Sequence, residues 1–149
     1  MPTAAKVISA LIFIALAWVV SDMVMQAMLE EDPHYNFGKF KLINLVVAAL
    51  VGWRVLGRRV GNSYSVAIGL GLTALGAAVF WCLFMHATIE ALALSMDRRF
   101  DGPMEAIIGA VELGVEYALE LAHVNIIGVL LAGSIVGGLM AEFVSRRWS

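Results

Sequence analysis

The chain has 149 residues, of which 61% are hydrophobic and 15% charged, with a formal net charge of −2. A soluble domain carries about 25% charged residues, so this is the composition of a membrane protein with a lipid bilayer as its solvent. The single cysteine, Cys82, excludes an internal disulfide and a Cys-based zinc site, and no basic patch interleaved with aromatics supports nucleic-acid binding.

In chain order, the first apolar run covers 7–28 and is interrupted only by Asp22 and Gln26. It is too long for a signal peptide and no small-x-small cleavage site follows it, so it reads as a retained first helix. A shorter run, 41–57, crosses if Arg54 snorkels to the interface. The runs 64–86 and 123–144 each reach the roughly 20 residues that span a hydrocarbon core of about 30 Å. The expected fold is therefore all-α and integral to the membrane, one domain over 1–149 with four transmembrane helices.

Basic residues predict the orientation. With both termini inside, Lys6, Arg54, Arg58, Arg59, Arg146 and Arg147 lie on the cytoplasmic side, and Lys39, Lys41, Arg98 and Arg99 lie outside. Eleven of the twelve acidic residues then fall outside, leaving only Glu142 within. N-in and C-in require an even number of spans, so the acidic stretch 103–122 is excluded as a fifth crossing.

That stretch, PMEAIIGAVELGVEYALELA, carries four glutamates and no basic residue. At 100° per residue, Glu105, Glu112, Glu116 and Glu120 fall within an arc of about 80°. Like charges four residues apart cost roughly 0.2–0.5 kcal/mol per pair, so the stripe needs water, a basic partner or a counter-charge. Asp101-Gly102-Pro103 predicts a turn, with Pro103 at the first helical position and Glu105 at the third. No Gly or Pro punctuates ELAHVNIIG, so the helix is expected to run unbroken into the last span. Helices 3 and 4 then form a hairpin extended beyond the outer face, with the glutamates as an acidic docking or hydrated face. The alternative lays 103–122 flat on the outer leaflet as an amphipathic helix, although such helices usually carry Lys or Arg on the polar face and this one carries only Glu. Arg98 and Arg99 are within reach of Glu105.

Small residues mark packing faces in lipid. The third span offers Gly69, Gly71, Thr73, Gly76 and Ala77. The last offers Gly128, Ala132, Gly133, Gly137, Gly138 and Ala141. Gly69, Gly76, Gly133 and Gly137 are taken as the helix-packing positions.

Polar residues gather toward the outer ends of the spans: Asp22, Asn44, His86, Glu90, His123 and Asn125. Cys82, His86 and Glu90 form an i, i+4, i+8 stripe, and a hairpin turning at Asp101–Gly102 would set His86 near Glu116 and Glu90 near Glu112. Such a set would suit Zn²⁺, Mn²⁺ or Fe²⁺. The His-x-x-x-Glu order differs from the Glu-x-x-His of helix-bundle di-metal sites, so no metal and no cofactor are expected, with His86, Glu90 and Glu116 the residues to watch. No Walker loop, nucleophile elbow or HExxH motif is present, and no catalytic residue is expected.

Taken together, the opening MPTAAK, GWRVLGRR at 52–59, FWCLF at 80–84, RRFDGPMEA at 98–106, ELGVEY at 112–117 and RRW at 146–148 give the chain a resemblance. It resembles the TrgA-type tellurite-resistance membrane proteins of alphaproteobacteria over nearly its whole length. The resemblance implies a small multi-pass protein of the bacterial inner membrane, linked to tolerance of tellurium oxyanions. It supplies no catalytic residues. The expected function is a non-catalytic accessory or structural subunit of a larger respiratory or photosynthetic membrane complex, with a membrane-protein partner or a homo-oligomer. The alternative is a small transporter or cation-binding protein acting directly in tellurite resistance.

Overall fold

Apolar runs of this length bury their backbone hydrogen bonds in helices, and the computed structural model, described over residues 4–148, is built of helices joined by short turns, with no strand among the described residues. The elements are α1 (Ala4–Glu31), α2 (Phe40–Val51), α3 (Tyr64–Met96), α4 (Pro103–Glu120) and α5 (Val124–Arg147), with a π-helical segment, Gly52–Leu56, following α2. Three of them, α1, α3 and α5, are long and apolar enough to cross a membrane. At 12 residues α2 measures about 18 Å, short of a span by itself.

The expected run 41–57 is thus α2 plus the π segment. Its backbone shift has a local cause in two glycines pressed against α1. A Cβ at Gly52 would lie 2.6 Å from the Ser9 carbonyl oxygen, and one at Gly57 would lie 2.7 Å from Lys6 Cα. The wider turn closes with Gly57 N–H donating to the Gly52 carbonyl at 2.8 Å.

Packing between α3 and α5 is closest at the end of the bundle where α2 meets α3. Gly71 abuts the Ser134 carbonyl and Gly138 abuts the Ala67 carbonyl, so neither position has room for a Cβ. Ala67, Ala74 and Ala141 complete this seam at 1% exposure or less. Gly133 and Gly137 do pack, but against Leu16 and Ile12 of α1 rather than against α3. Gly69 and Gly76, expected on the packing face, have nothing within 4 Å of a Cβ. The correction follows from helical period: Gly71 shares its face with Ala67 and Ala74, whereas Gly69 is about 200° away from Ala67.

Glu142 is fully buried and ties the α2–α3 turn to α5. Its Oε2 accepts from Gly61 N–H at 2.8 Å and Asn62 N–H at 3.2 Å, and its Oε1 accepts from Arg146 Nε at 3.0 Å. Arg146 Nη2 also donates to the Asn62 carbonyl at 2.6 Å. The one acidic residue at this end of the chain is therefore a clasp, with its charge shared among three donors.

At the other end α3 stops on Asp97, and Arg98 takes a left-handed backbone (φ 55°). Arg99 N–H donates to the Leu94 carbonyl and Arg98 N–H to the Ser95 carbonyl, which completes a Schellman stop. The turn leads into α4 as expected, with Pro103 first and the Glu105 carboxylate reaching back to Asp101 N–H at 2.7 Å. Glu105 is engaged there, not with Arg98 or Arg99.

The expected unbroken helix from 103 to 144 is not found. It breaks between Glu120 and Val124, where Ala122 N–H bonds three residues back to Leu119 and His123 is extended. His123 supplies the break itself: its Nδ1–H donates to the Glu120 carbonyl at 2.7 Å, and its own carbonyl begins α5. Both halves still line α3, α5 along its first part and α4 along its last, where a Cβ at Gly114 would lie 3.8 Å from Ala87 Cβ.

Candidate functional site

A cavity of about 440 Å³ lies between α1, α2 and α3 on the side of the α1–α2 connection. Along α3 its wall runs from Leu75 to Glu90, about 22 Å at 1.5 Å per residue. Its deep end adjoins the packed core through Phe13 and Ala48, which cluster with Leu56, Ala74 and Ala141. Its upper end is bordered by Tyr35, Asn36 and Lys39 of the connection and by Tyr117 of α4.

Polar side chains occupy only the upper part of this wall. Asn44 Nδ2 donates to the Ser21 hydroxyl at 3.0 Å, and the Asn44 carbonyl oxygen accepts from His86 Nε2–H at 2.8 Å. With Nε2 as the donor, the neutral imidazole keeps Nδ1 as an acceptor. Phe40 stacks on the His86 ring at 4.7 Å, and Tyr117 meets the ring edgewise at 6.5 Å. Burial, with Tyr35 and Glu90 beside it, pushes the Tyr117 hydroxyl up to about 12, so it remains a donor at any physiological pH.

Beside the cavity, Lys41 Nζ pairs with Asp22 at 2.6 Å and sits 3.5 Å above the Trp18 ring. Asp22 is nearly half exposed, so this pair contributes about 0–1 kcal/mol and mainly sets the register of α1 on α2.

Of the six polar residues expected to gather, the structure places Asn44, His86 and Glu90 on the cavity wall and Asp22 on its flank. His123 and Asn125 are exposed and belong to the α4–α5 break. The convergence of His86 and Glu90 with Glu116 does not occur. Among the described residues no group of three His, Cys, Asp or Glu side chains is placed to hold a metal ion, because His86 turns to Asn44 on α2. Sequence reasoning missed Ser21, Phe40, Tyr35 and Tyr117. For Ser21 and Phe40 a signal existed, since Ser21 lies beside Asp22 and Phe40 is one helical turn before Asn44.

The second feature is α4 itself, which has no buried residue. Three faces run along it. Leu113, Gly114 and Tyr117 turn toward α3, and Glu112, Glu116 and Glu120 form the acidic face. On the third, Met104, Ile107, Ile108, Val111, Val115 and Leu119 are 52–68% exposed. None of the three carboxylates has an ion-pair partner among the described residues.

Between α3 and α4 lies an open apolar groove. Its floor is small, with Ala87, Ala91, Ala106, Ala110 and Gly114, and its rims are large, with Phe80, Phe84, Leu92, Ile107 and Val115. Comparison of the chain with family models, with curated proteins and with solved structures finds no match.

Proposed function

We propose that this is a non-catalytic multi-pass protein of the bacterial inner membrane, an accessory or structural subunit that docks onto a larger respiratory or photosynthetic complex through the α3–α4 hairpin. The observation that carries the reading is that α4 buries no residue while it presents an apolar stripe beside an unpaired acidic one. At 33 residues α3 is about 50 Å long, some 20 Å more than a hydrocarbon core, and α4 lies along the excess. Lipid tails therefore do not account for the whole apolar stripe, and a partner does.

The groove suits a helix of another membrane protein. A small-residue floor admits close approach of a backbone, and large rims supply the packing area. The neighbouring Glu112 and Glu116 select a partner with Lys or Arg flanking its apolar face. In this reading α1, α2 with the π segment, α3 and α5 give four crossings with both termini inside, and the hairpin stands on the outer face.

The resemblance noted in the sequence adds tolerance of tellurium oxyanions as a phenotype. An acidic outer ridge repels an oxyanion, so tolerance is read as indirect, through the integrity of the complex. Extraction in mild detergent followed by native gel electrophoresis tests the proposal. The protein is expected to migrate with a large assembly, and Val111→Lys with Val115→Lys is expected to release it. A free monomer from the parent protein would overturn the reading.

The alternative, a small transporter or cation-binding protein, draws on the cavity. Its apolar deep end, set against the packed core, favours ligand binding over passage of an ion. Uptake of tellurite or divalent cations into vesicles, unchanged by His86→Leu, would remove this reading.

A further inference from the structure

We propose that the cavity among α1, α2 and α3 binds an amphiphile with an extended hydrocarbon chain and a hydrogen-bonding head without net charge. The proposal is independent of the docking reading, because no residue of the α4 apolar stripe lines this cavity.

Shape gives the tail. The cavity is elongated, about 440 Å³ along about 22 Å of α3, the shape an extended hydrocarbon chain requires. The deep wall is formed by Phe13, Leu16, Ala17, Leu75, Ala78 and Val79, with no polar side chain among them. Protein interiors pack as densely as organic crystals, and an empty void forfeits the dispersion contacts of its whole lining. Inside a bilayer the molecules at hand to fill it are apolar chains. The volume lies within the range of about 300–1,000 Å³ found for small-molecule sites.

Chemistry gives the head. Ser21, Asn44, His86, Tyr35 and Tyr117 lie in the upper part, so the wall changes from apolar to hydrogen-bonding in one direction only. These groups are a hydroxyl, a carboxamide, an imidazole and two phenols, which exchange hydrogen bonds, and the two charged side chains on the lining, Lys39 and Glu90, are of opposite sign, so the wall favours a head without net charge. The Asn44–His86 bond leaves the second imidazole nitrogen as an acceptor, and Phe40 on the ring fixes its plane. A ligand enters with its head toward the α1–α2 connection and its tail toward Phe13. Two sources share this chemistry: an isoprenoid quinone or quinol, and a single-chain lipid such as a protonated fatty acid.

The test uses full-length protein taken from membranes in polymer-bounded lipid discs and examined by native mass spectrometry. One amphiphile per chain is expected on the parent protein and on Gly76→Phe, which adds bulk on the open side of α3. Retention is expected to fall at least tenfold in Ala78→Phe, which fills the shaft. The mass and ultraviolet spectrum of the released molecule decide between quinone and acyl lipid, and either supports the proposal. A parent chain with no bound amphiphile, or equal retention in Ala78→Phe, would overturn it.

Should Ala78→Phe fail to fold, the delipidated parent protein supplies the answer. A saturable rise in Tm with decylubiquinone or with oleic acid is expected. No rise with either probe would contradict the proposal.

Discussion

α4 and α5 line the same helix, yet they meet it in opposite ways. α5 lays Ser134, Gly138 and Ala141 against Gly71, Ala67 and Ala74 so closely that backbone carbonyls occupy the space of missing Cβ atoms. α4 meets α3 at ordinary van der Waals distance, leaves a groove between them and buries nothing. Close packing with interlocked small residues specifies a fold. An apolar face that the chain leaves uncovered is available to another molecule. The break at His123 allows the difference, since it lets the two helices take independent lines along α3.

The sharpest way to break the α5 side is Glu142→Ala. It leaves the Gly61 and Asn62 N–H groups without their acceptor and the Arg146 guanidinium with the Asn62 carbonyl but no counter-charge, and a loss of about 3 kcal/mol in unfolding free energy is expected. Thermal denaturation in lipid discs reads it, and a loss below about 1 kcal/mol would remove the clasp from the account. Gly71→Ala and Gly138→Ala should each cost about 1–3 kcal/mol, because the added Cβ meets a carbonyl that cannot rotate away. Gly69→Ala and Gly76→Ala at open positions should instead be neutral or stabilise by about 0.5–1 kcal/mol. Equal effects in the two pairs would erase the distinction between the seam and the open face.

On the α4 side the effects are smaller and depend on pH. Tyr117 holds its proton up to about 12 in the fold against 10.0 when unfolded. The stability linked to that proton is therefore complete below pH 10 and is lost as pH rises from 10 to about 12. Tyr117→Phe should flatten stability across that window, whereas a curve of unchanged slope would place Tyr117 elsewhere. The smallest change is Arg98→Gly. Relieving a left-handed non-glycine at the α3 stop should stabilise by about 0.5–1 kcal/mol, visible as a modest rise in Tm.

Much of this architecture is legible in the residues, and for physical reasons. Long apolar runs with few charges have no alternative to helices in lipid, so α1, α3 and α5 follow from composition alone. Asp101-Gly102-Pro103 with Glu105 three positions later states where α4 begins, because each residue answers a requirement of a helix start. The end of α4 is illegible for the converse reason. No residue there disfavours a helix, and the break depends on a histidine side chain finding a carbonyl three residues back. The packing glycines are half legible: the small-residue stripe is visible in both helices, but which of Gly69, Gly71 and Gly76 meets α5 depends on helix rotation.

The cavity is the least legible part. Asn44, His86 and Glu90 stand out as polar residues in apolar runs. Their convergence with Ser21, Tyr35 and Tyr117 comes from five segments of the chain folding together. No spacing in one helix encodes it.

The claim that α5 completes the fold while α4 awaits a partner is tested most directly by one paired measurement. The parent protein and the Val111→Lys/Val115→Lys variant are extracted in mild detergent, and the mass of the native assembly and the Tm are read on the same samples. The account predicts a large assembly for the parent, a free chain for the variant, and a Tm of the isolated chain that is the same in both. A parent that runs as a free chain, or a variant that unfolds, would contradict it.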